Sequence, residues 1–279
     1  MSHGGVMKAV LLFCLLSLSF FHRGAVYGSE YMDVAVSIPP QAYFVQQIGG
    51  ARVNVQVLIR SGDDPHTYEP RPAQMAALSK SLVYFSIGLP FEEPLLSRLV
   101  SLNPSLRIVE TYAGIERMPG DPHIWLAPSL VKVQGIAIRD GLMAVDPGHK
   151  EEYSKNYDQF CQNVDELDHT IRELLERVRK KDFVVAHPSW GYFAREYGLH
   201  QISMEREGKE PKASDLAALI QLMKERNIKS IFVSPQYSRK MAENLARETN
   251  GTIIAIDPLP WNWMDDMAET ARAIGGSLQ

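Results

Sequence analysis

Three short stretches carry most of the chemistry that this sequence can offer. They are GDDPHTYEP at 62–70, GDPHIWLAP at 120–128 and AHPSWGYF at 186–193. The first two repeat Asp-Pro-His, with an aromatic residue two positions after the histidine and a proline beyond it. Each of His66, His123 and His187 has a proline beside it, namely Pro65, Pro122 and Pro188. Proline fixes its own φ and restricts the residue before it, so these histidines sit on stiff backbone. Asp257 closes the last apolar run, TIIAI. Three neutral imidazoles and one carboxylate make a tetrahedral N3O donor set, which suits Zn²⁺. Asp63, Asp64 and Asp121 lie close enough in sequence to accept hydrogen bonds from the imidazole N–H groups and orient the rings.

Such a set needs a frame that brings distant residues together. Short β-branched runs alternate with amphipathic segments on both sides of the chain's middle. DVAVSIPP, VNVQVLI, LVYFSIG and LRIVET read as strands in the first half, with helices at 41–50, 73–81 and 91–104 between them. FVVAHPS, LHQISME, SIFVSP and TIIAIDP read as strands in the second half, with helices at 191–198, 214–227 and 238–250. Ser214 is a candidate N-cap, and Asn250-Gly251 a helix stop. Alternation of this kind implies parallel sheets with helices on their faces. In such sheets ligands bind in the crevice outside the carboxyl ends of the strands. His66, His123, His187 and Asp257 all fall at or just beyond strand ends, two in each half, so they point to one cleft.

Residues 150–181 break the alternation, with no Pro or Gly among them. Tyr153, Tyr157, Phe160, Val164, Leu167, Ile171, Leu174 and Val178 recur at helical spacing and form one apolar stripe. At 1.5 Å per residue the helix would reach roughly 48 Å. A coiled-coil dimer could use such a stripe, but α/β sequence on both sides favours a spine between two lobes. The expected fold is therefore α/β, two parallel-sheet lobes joined by one long spine helix with the metal site in the cleft between them. The lobes run over 33–148 and 182–279, and the linking helix over 149–181.

The bulk properties narrow the function. The 279 residues are 45% apolar and 22% charged, with a net charge of −4. No basic surface argues for nucleic acid. The N-terminus has Lys8 followed by an apolar run from Ala9 to Phe21, too short to span a bilayer. It reads as a signal peptide over 1–28, which predicts export to the periplasm. Cys14 falls in that leader behind the bulky Phe13, which argues against a lipid anchor there. Cys161 is then the one cysteine of the mature chain, and an intramolecular disulfide is impossible. His149, His169 and His200 read as capping or solvated histidines.

Three functions fit the donor set. A binding protein would close the coordination sphere with four protein ligands. A zinc hydrolase would leave Asp257 uncoordinated and use Glu69 or Glu205 as general base, but the sequence has no HExxH motif. A binding protein for a metal complex such as a siderophore or haem would need a wider cleft. Trp125, Trp190, Trp261 and Trp263 could wall such a cleft, but each follows a candidate ligand closely and reads better as a shield against water.

DPHTYEPRP, DPHIWLAP, AHPSWGYFAREYGL and the strand-end IDP occur in an order that resembles the cluster A-I metal-binding proteins of bacterial zinc/manganese ABC importers. The resemblance covers about 33–279 and includes the central helix. It implies a two-lobed, monomeric binding protein with small hinge motion. It implies a metal held by His66, His123, His187 and Asp257, and delivery to an ABC permease and its ATPase. In manganese-type members the third ligand is usually Glu, so His187 favours Zn²⁺ over Mn²⁺. The family's zinc-type members often carry a long His- and acid-rich loop before the second ligand. Here YAGIERMPGDPH is short and adds no histidine.

Overall fold

The computed structural model describes residues 31–60, 63, 68–205, 211–237 and 239–279. Tyr31–Gln279 forms one compact unit. The expected signal peptide at 1–28, with Cys14, and His66 with its neighbour Asp64 lie outside the described residues.

Two four-stranded parallel sheets organise the chain. The first contains β1 (Met32–Val36), β2 (Val53–Val57), β3 (Val83–Ser86) and β4 (Arg107–Glu110), in the order β2-β1-β3-β4. The second contains β5 (Asp182–Val185), β6 (His200–Ser203), β7 (Ser230–Val233) and β8 (Thr252–Ala255), in the order β6-β5-β7-β8. The two orders are the same, so each lobe has its topological switch point between its first and third strands. The crevice at such a point is where open α/β sheets bind ligands. The expected fold class of two α/β lobes is the one observed.

The strands are shorter than the apolar runs suggest, because each run continues into the loop at the strand's carboxyl end. Pro39 and Pro40 leave the first strand and open helix α1 (Pro39–Gly49), where proline at the first turn costs no hydrogen bond. Three further helices are α2 (Pro72–Leu78), α3 (Glu92–Leu102) and α4 (Pro128–Val145). Helix α4 falls outside the strand–helix alternation expected from the sequence; Pro128 marks its start, and Val131, Ile138 and Leu142 are its buried face. Gly135 lets α4 lie close to the next helix, since a Cβ there would stand 3.0 Å from the Tyr157 ring.

That next helix, α5, spans Lys150–Leu175 and is about 39 Å long. It stops short of the expected residue 181. Beyond Leu175 the backbone tightens, with the Val178 N–H donating to the Leu175 carbonyl at 3.2 Å, and turns toward β5. Tyr153, Phe160, Val164, Leu167, Ile171 and Leu175 are buried. They pack within the chain, against α1, α4 and the C-terminal helix, so the stripe serves an internal spine.

In the second lobe, α6 (Gly191–Glu196), α7 (Ala213–Glu225) and α8 (Lys240–Thr249) follow the expected alternation. α7 begins one residue before the expected cap Ser214. Its start is fixed by Asp215, whose carboxylate accepts the Lys212 N–H at 3.2 Å. Asn250 takes a left-handed φ of 48° and ends α8 as the sequence suggests. The last helix, α9 (Trp263–Ser277), was not anticipated. It crosses back onto α5, and Trp263 meets Phe44 of α1 edge to face at 5.1 Å. One buried cluster thus runs from Val34 and Phe44 through Trp125 and Phe160 to Phe183, Trp263 and Ile274. A core shared by both lobes resists large hinge opening, because opening would expose it to water.

Candidate metal-binding site

His123 lies in the loop after β4, just ahead of a single 3₁₀ turn at Ile124–Leu126. Asp121, two residues earlier, accepts both the His123 backbone N–H at 2.9 Å and a bond with ring Nδ1 at 2.7 Å. The short Asp-Pro-His phrase therefore holds its own histidine in place. Gly191, at the start of α6, makes room for this arrangement: a Cβ there would collide with the Asp121 carboxylate.

His187 follows β5, one of the second sheet's two inner strands. Its Nδ1 meets the Glu205 carboxylate at 2.7 Å. The pairing follows from the parallel register, in which Asp182 faces His200 and Val185 faces Ser203. Two residues past the ladder on each strand, the same offset sets Glu205 beside His187. Tyr237, in the loop after β7, stacks on the His187 ring at 4.4 Å with 19° between planes.

The structure brings His123 and His187 together. Both are buried, at 7% and 6% exposure, and their ring centroids are 5.5 Å apart. Each uses Nδ1 for a carboxylate, a pattern that fixes the tautomer and orientation of the ring. Asp257 stands two residues past β8. Its Oδ1 accepts Gln236 Nε2 at 2.7 Å and the Leu259 N–H at 2.9 Å. Gln236 in turn lines a pocket shared with Leu89, His123, Trp125, Tyr237 and Leu259. The pocket holds about 10 Å³, the space of a single water or bare ion. Among the described residues no group of three or more His, Cys, Asp or Glu side chains converges as a metal cage.

The surroundings are acidic. Asp265 and Asp266 occupy the first turn of α9. Burial, then the nearby Glu269, Asp257 and Asp265, push the Asp266 carboxyl above the usual carboxylate range.

Sequence reasoning named His123, His187, Asp257 and the acceptor Asp121, but offered Glu205 only as a base and missed Gln236 and Tyr237. Of the four tryptophans, only Trp125 lines the pocket. Trp190 and Trp263 are core residues, and Trp261 is exposed. Trp125 also joins the lobes: its indole N–H donates to the Pro258 carbonyl at 2.6 Å, while the Trp263 indole donates to the Trp125 carbonyl at 2.7 Å. Among the other histidines, His149 bonds Asp146, and His169 and His200 pair with carboxylates at exposed positions. Cys161 is a free thiol on α5.

Comparison with known proteins adds a decisive finding. The family model for the zinc-uptake complex component A, periplasmic, matches residues 34–275. The chain belongs to this family. A putative metal-binding protein of Chlamydia muridarum is 29% identical, over 93% of this chain and 98% of the relative. The high-affinity zinc uptake system protein ZnuA of Bacillus subtilis is 28% identical, over 86% and 83%. A manganese-binding lipoprotein, MntA of Halalkalibacterium halodurans, is 25% identical, over 81% and 78%. The crystal structure of a zinc-bound ZnuA deletion mutant superposes with a TM-score of 0.85 at 41% identity, covering 89% of this chain and 98% of that one. Membership in the zinc-uptake component A family places the chain among solute-binding proteins rather than enzymes.

Proposed function

We propose that this chain captures Zn²⁺ outside the cytoplasmic membrane and passes it to an ABC permease and its ATPase. The ligands are His66, His123 and His187 through their imidazoles and Asp257 through its carboxylate. The observation that carries this reading is the pair His123 and His187, edge to face at 5.5 Å, each with Nδ1 on a carboxylate. With Nδ1 so engaged, Nε2 is the nitrogen that would reach the metal. The lobes act as units over 33–148 and 182–279 around the linking segment 149–181, and the protein works as a monomer. Residues 1–28 act as the signal peptide that sends it to the periplasm. Release would follow a shift that draws His66 and His123 away from His187 and Asp257. The shared core and the Trp125–Pro258 bond would keep that shift small.

A manganese-carrying role is the second reading. The likeness to a manganese-binding lipoprotein and the short loop ahead of His123 support it, whereas the imidazole at position 187 supports zinc. Elemental analysis and competitive titration with Zn²⁺ and Mn²⁺, on the chain lacking residues 1–28, separate the two. One zinc per chain that excess manganese does not displace upholds the zinc reading. Preferred manganese keeps the transport role and changes the metal. No tight metal at all would sink both.

A further inference from the structure

We propose that Gln236 is a specificity-determining residue, one that restricts Asp257 to a single coordinating oxygen and so favours zinc over manganese. The inference rests on Asp257 being a ligand, as proposed above. Gln236 is three residues past β7 and Asp257 two past β8, and these strands are parallel neighbours with Val233 facing Ala255. The register therefore delivers both side chains to the same rim. Asp257 Oδ1 is saturated there by Gln236 Nε2 at 2.7 Å and the Leu259 N–H at 2.9 Å. Only Oδ2 is left for a metal. The amide orientation follows from this contact, because a reversed Gln236 would turn its oxygen onto the carboxylate. Its own Oε1 is buried and, among the described residues, has no hydrogen-bond partner. An orphaned buried acceptor is costly, so the fold keeps this glutamine at a price.

The chemical consequence concerns coordination number. Three imidazoles and one monodentate carboxylate give four donors, the tetrahedral arrangement zinc accepts readily. Manganese suits more oxygen donors in an octahedral sphere, which a bidentate carboxylate helps to fill. Without Gln236, Oδ1 keeps only the Leu259 N–H, which leaves it a lone pair with which Asp257 can close on the metal with both oxygens and narrow the preference for zinc.

The test compares wild type, Gln236→Leu, Gln236→Glu and Asp257→Ala in the mature chain. Zn²⁺ and Mn²⁺ affinities are read by competition with a chelating dye, and the metal's oxygen and nitrogen neighbours by X-ray absorption. Q236L is expected to lower the zinc-to-manganese affinity ratio about tenfold, in the range seen when partners of metal ligands are removed, and to add an oxygen neighbour. Q236E sets a carboxylate against Asp257 and is expected to lower the ratio at least as far. Loss of both affinities by the same factor, with unchanged neighbours, would mean a structural role only and overturn the proposal. If D257A loses zinc while Q236L keeps the wild-type ratio, the site stands and the role of Gln236 falls. If D257A binds zinc like wild type, the assignment of Asp257 fails first and takes this inference with it.

Discussion

His123 of the first lobe and His187 of the second meet edge to face, with ring centroids 5.5 Å apart and both rings buried. Burying two imidazoles against each other is unfavourable if either is charged, and under the proposed function a shared metal ion would hold both rings neutral. His123→Ala and His187→Ala should each weaken zinc binding by more than about a hundredfold, since losing a ligand exceeds the 10- to 100-fold cost of losing a ligand's partner. Chelator competition on folded variants checks this. Native affinity in either variant would remove that histidine from the site.

Glu205 and Asp121 act one step behind these rings. Glu205→Ala should lower zinc affinity about 10- to 100-fold, because His187 loses the acceptor at 2.7 Å that fixes its tautomer. Glu205→Gln should lose less, since the amide oxygen can still accept from Nδ1. Gly191→Ala should also weaken binding, by forcing the Asp121 carboxylate away from His123. Isothermal titration of the three variants orders them. Equal losses for E205A and E205Q would show that hydrogen bonding to His187 is not what Glu205 contributes.

The candidate site was partly legible in the sequence for a physical reason. Asp121 and His123 are bound to each other within one short, proline-stiffened phrase, so their local order is written in consecutive residues. The alternation of β-branched runs likewise announced two parallel sheets. The partnership of His187 with Glu205, or of Asp257 with Gln236, depends on strand register, which the pattern of one chain does not specify. Helix α4 escaped notice because Gly135 and Gly141 interrupt its apolar periodicity. Both glycines are needed for close packing, against Tyr157 and Phe85 respectively. The end of α5 was overrun because Val178 continues the stripe and is buried, although the backbone has already left the helix.

Trp125 should matter to stability as well as to binding. Its indole N–H donates to the Pro258 carbonyl, next to Asp257, and its own carbonyl accepts from Trp263. Trp125→Phe keeps an aromatic ring in the core but leaves the Pro258 carbonyl without this donor. Loss of about 1–3 kcal/mol is expected from the orphaned buried acceptor, with weaker zinc binding because the Asp257 loop loses its anchor to the first lobe. Urea unfolding with and without zinc tests both parts. Unchanged stability would mean that water replaces the indole.

Glu92 is a buried carboxylate of the first lobe. It opens α3, and its oxygens accept the backbone N–H groups of Ile87 at 3.0 Å, Gly88 at 2.6 Å and Leu89 at 3.1 Å, with the Ser37 hydroxyl as a further donor. This clamp shapes the loop that carries Leu89 to the wall of the pocket shared with His123 and Gln236. Burial raises the Glu92 carboxyl above the ordinary glutamate range, even though the four hydrogen bonds oppose that shift. The folded chain therefore holds this proton more tightly than the unfolded chain. The stabilisation from that proton is fully present below the unfolded value of about 4.3 and is lost as pH rises through the raised folded value. Glu92→Gln should flatten that part of the stability profile. It should also cost about 1–3 kcal/mol at neutral pH, because an amide NH₂ cannot accept from the N–H groups that converge on the second oxygen. Thermal unfolding across acidic to neutral pH measures both effects. A variant as stable as wild type at neutral pH would show that the loop at 87–89 finds other acceptors and does not depend on the carboxylate.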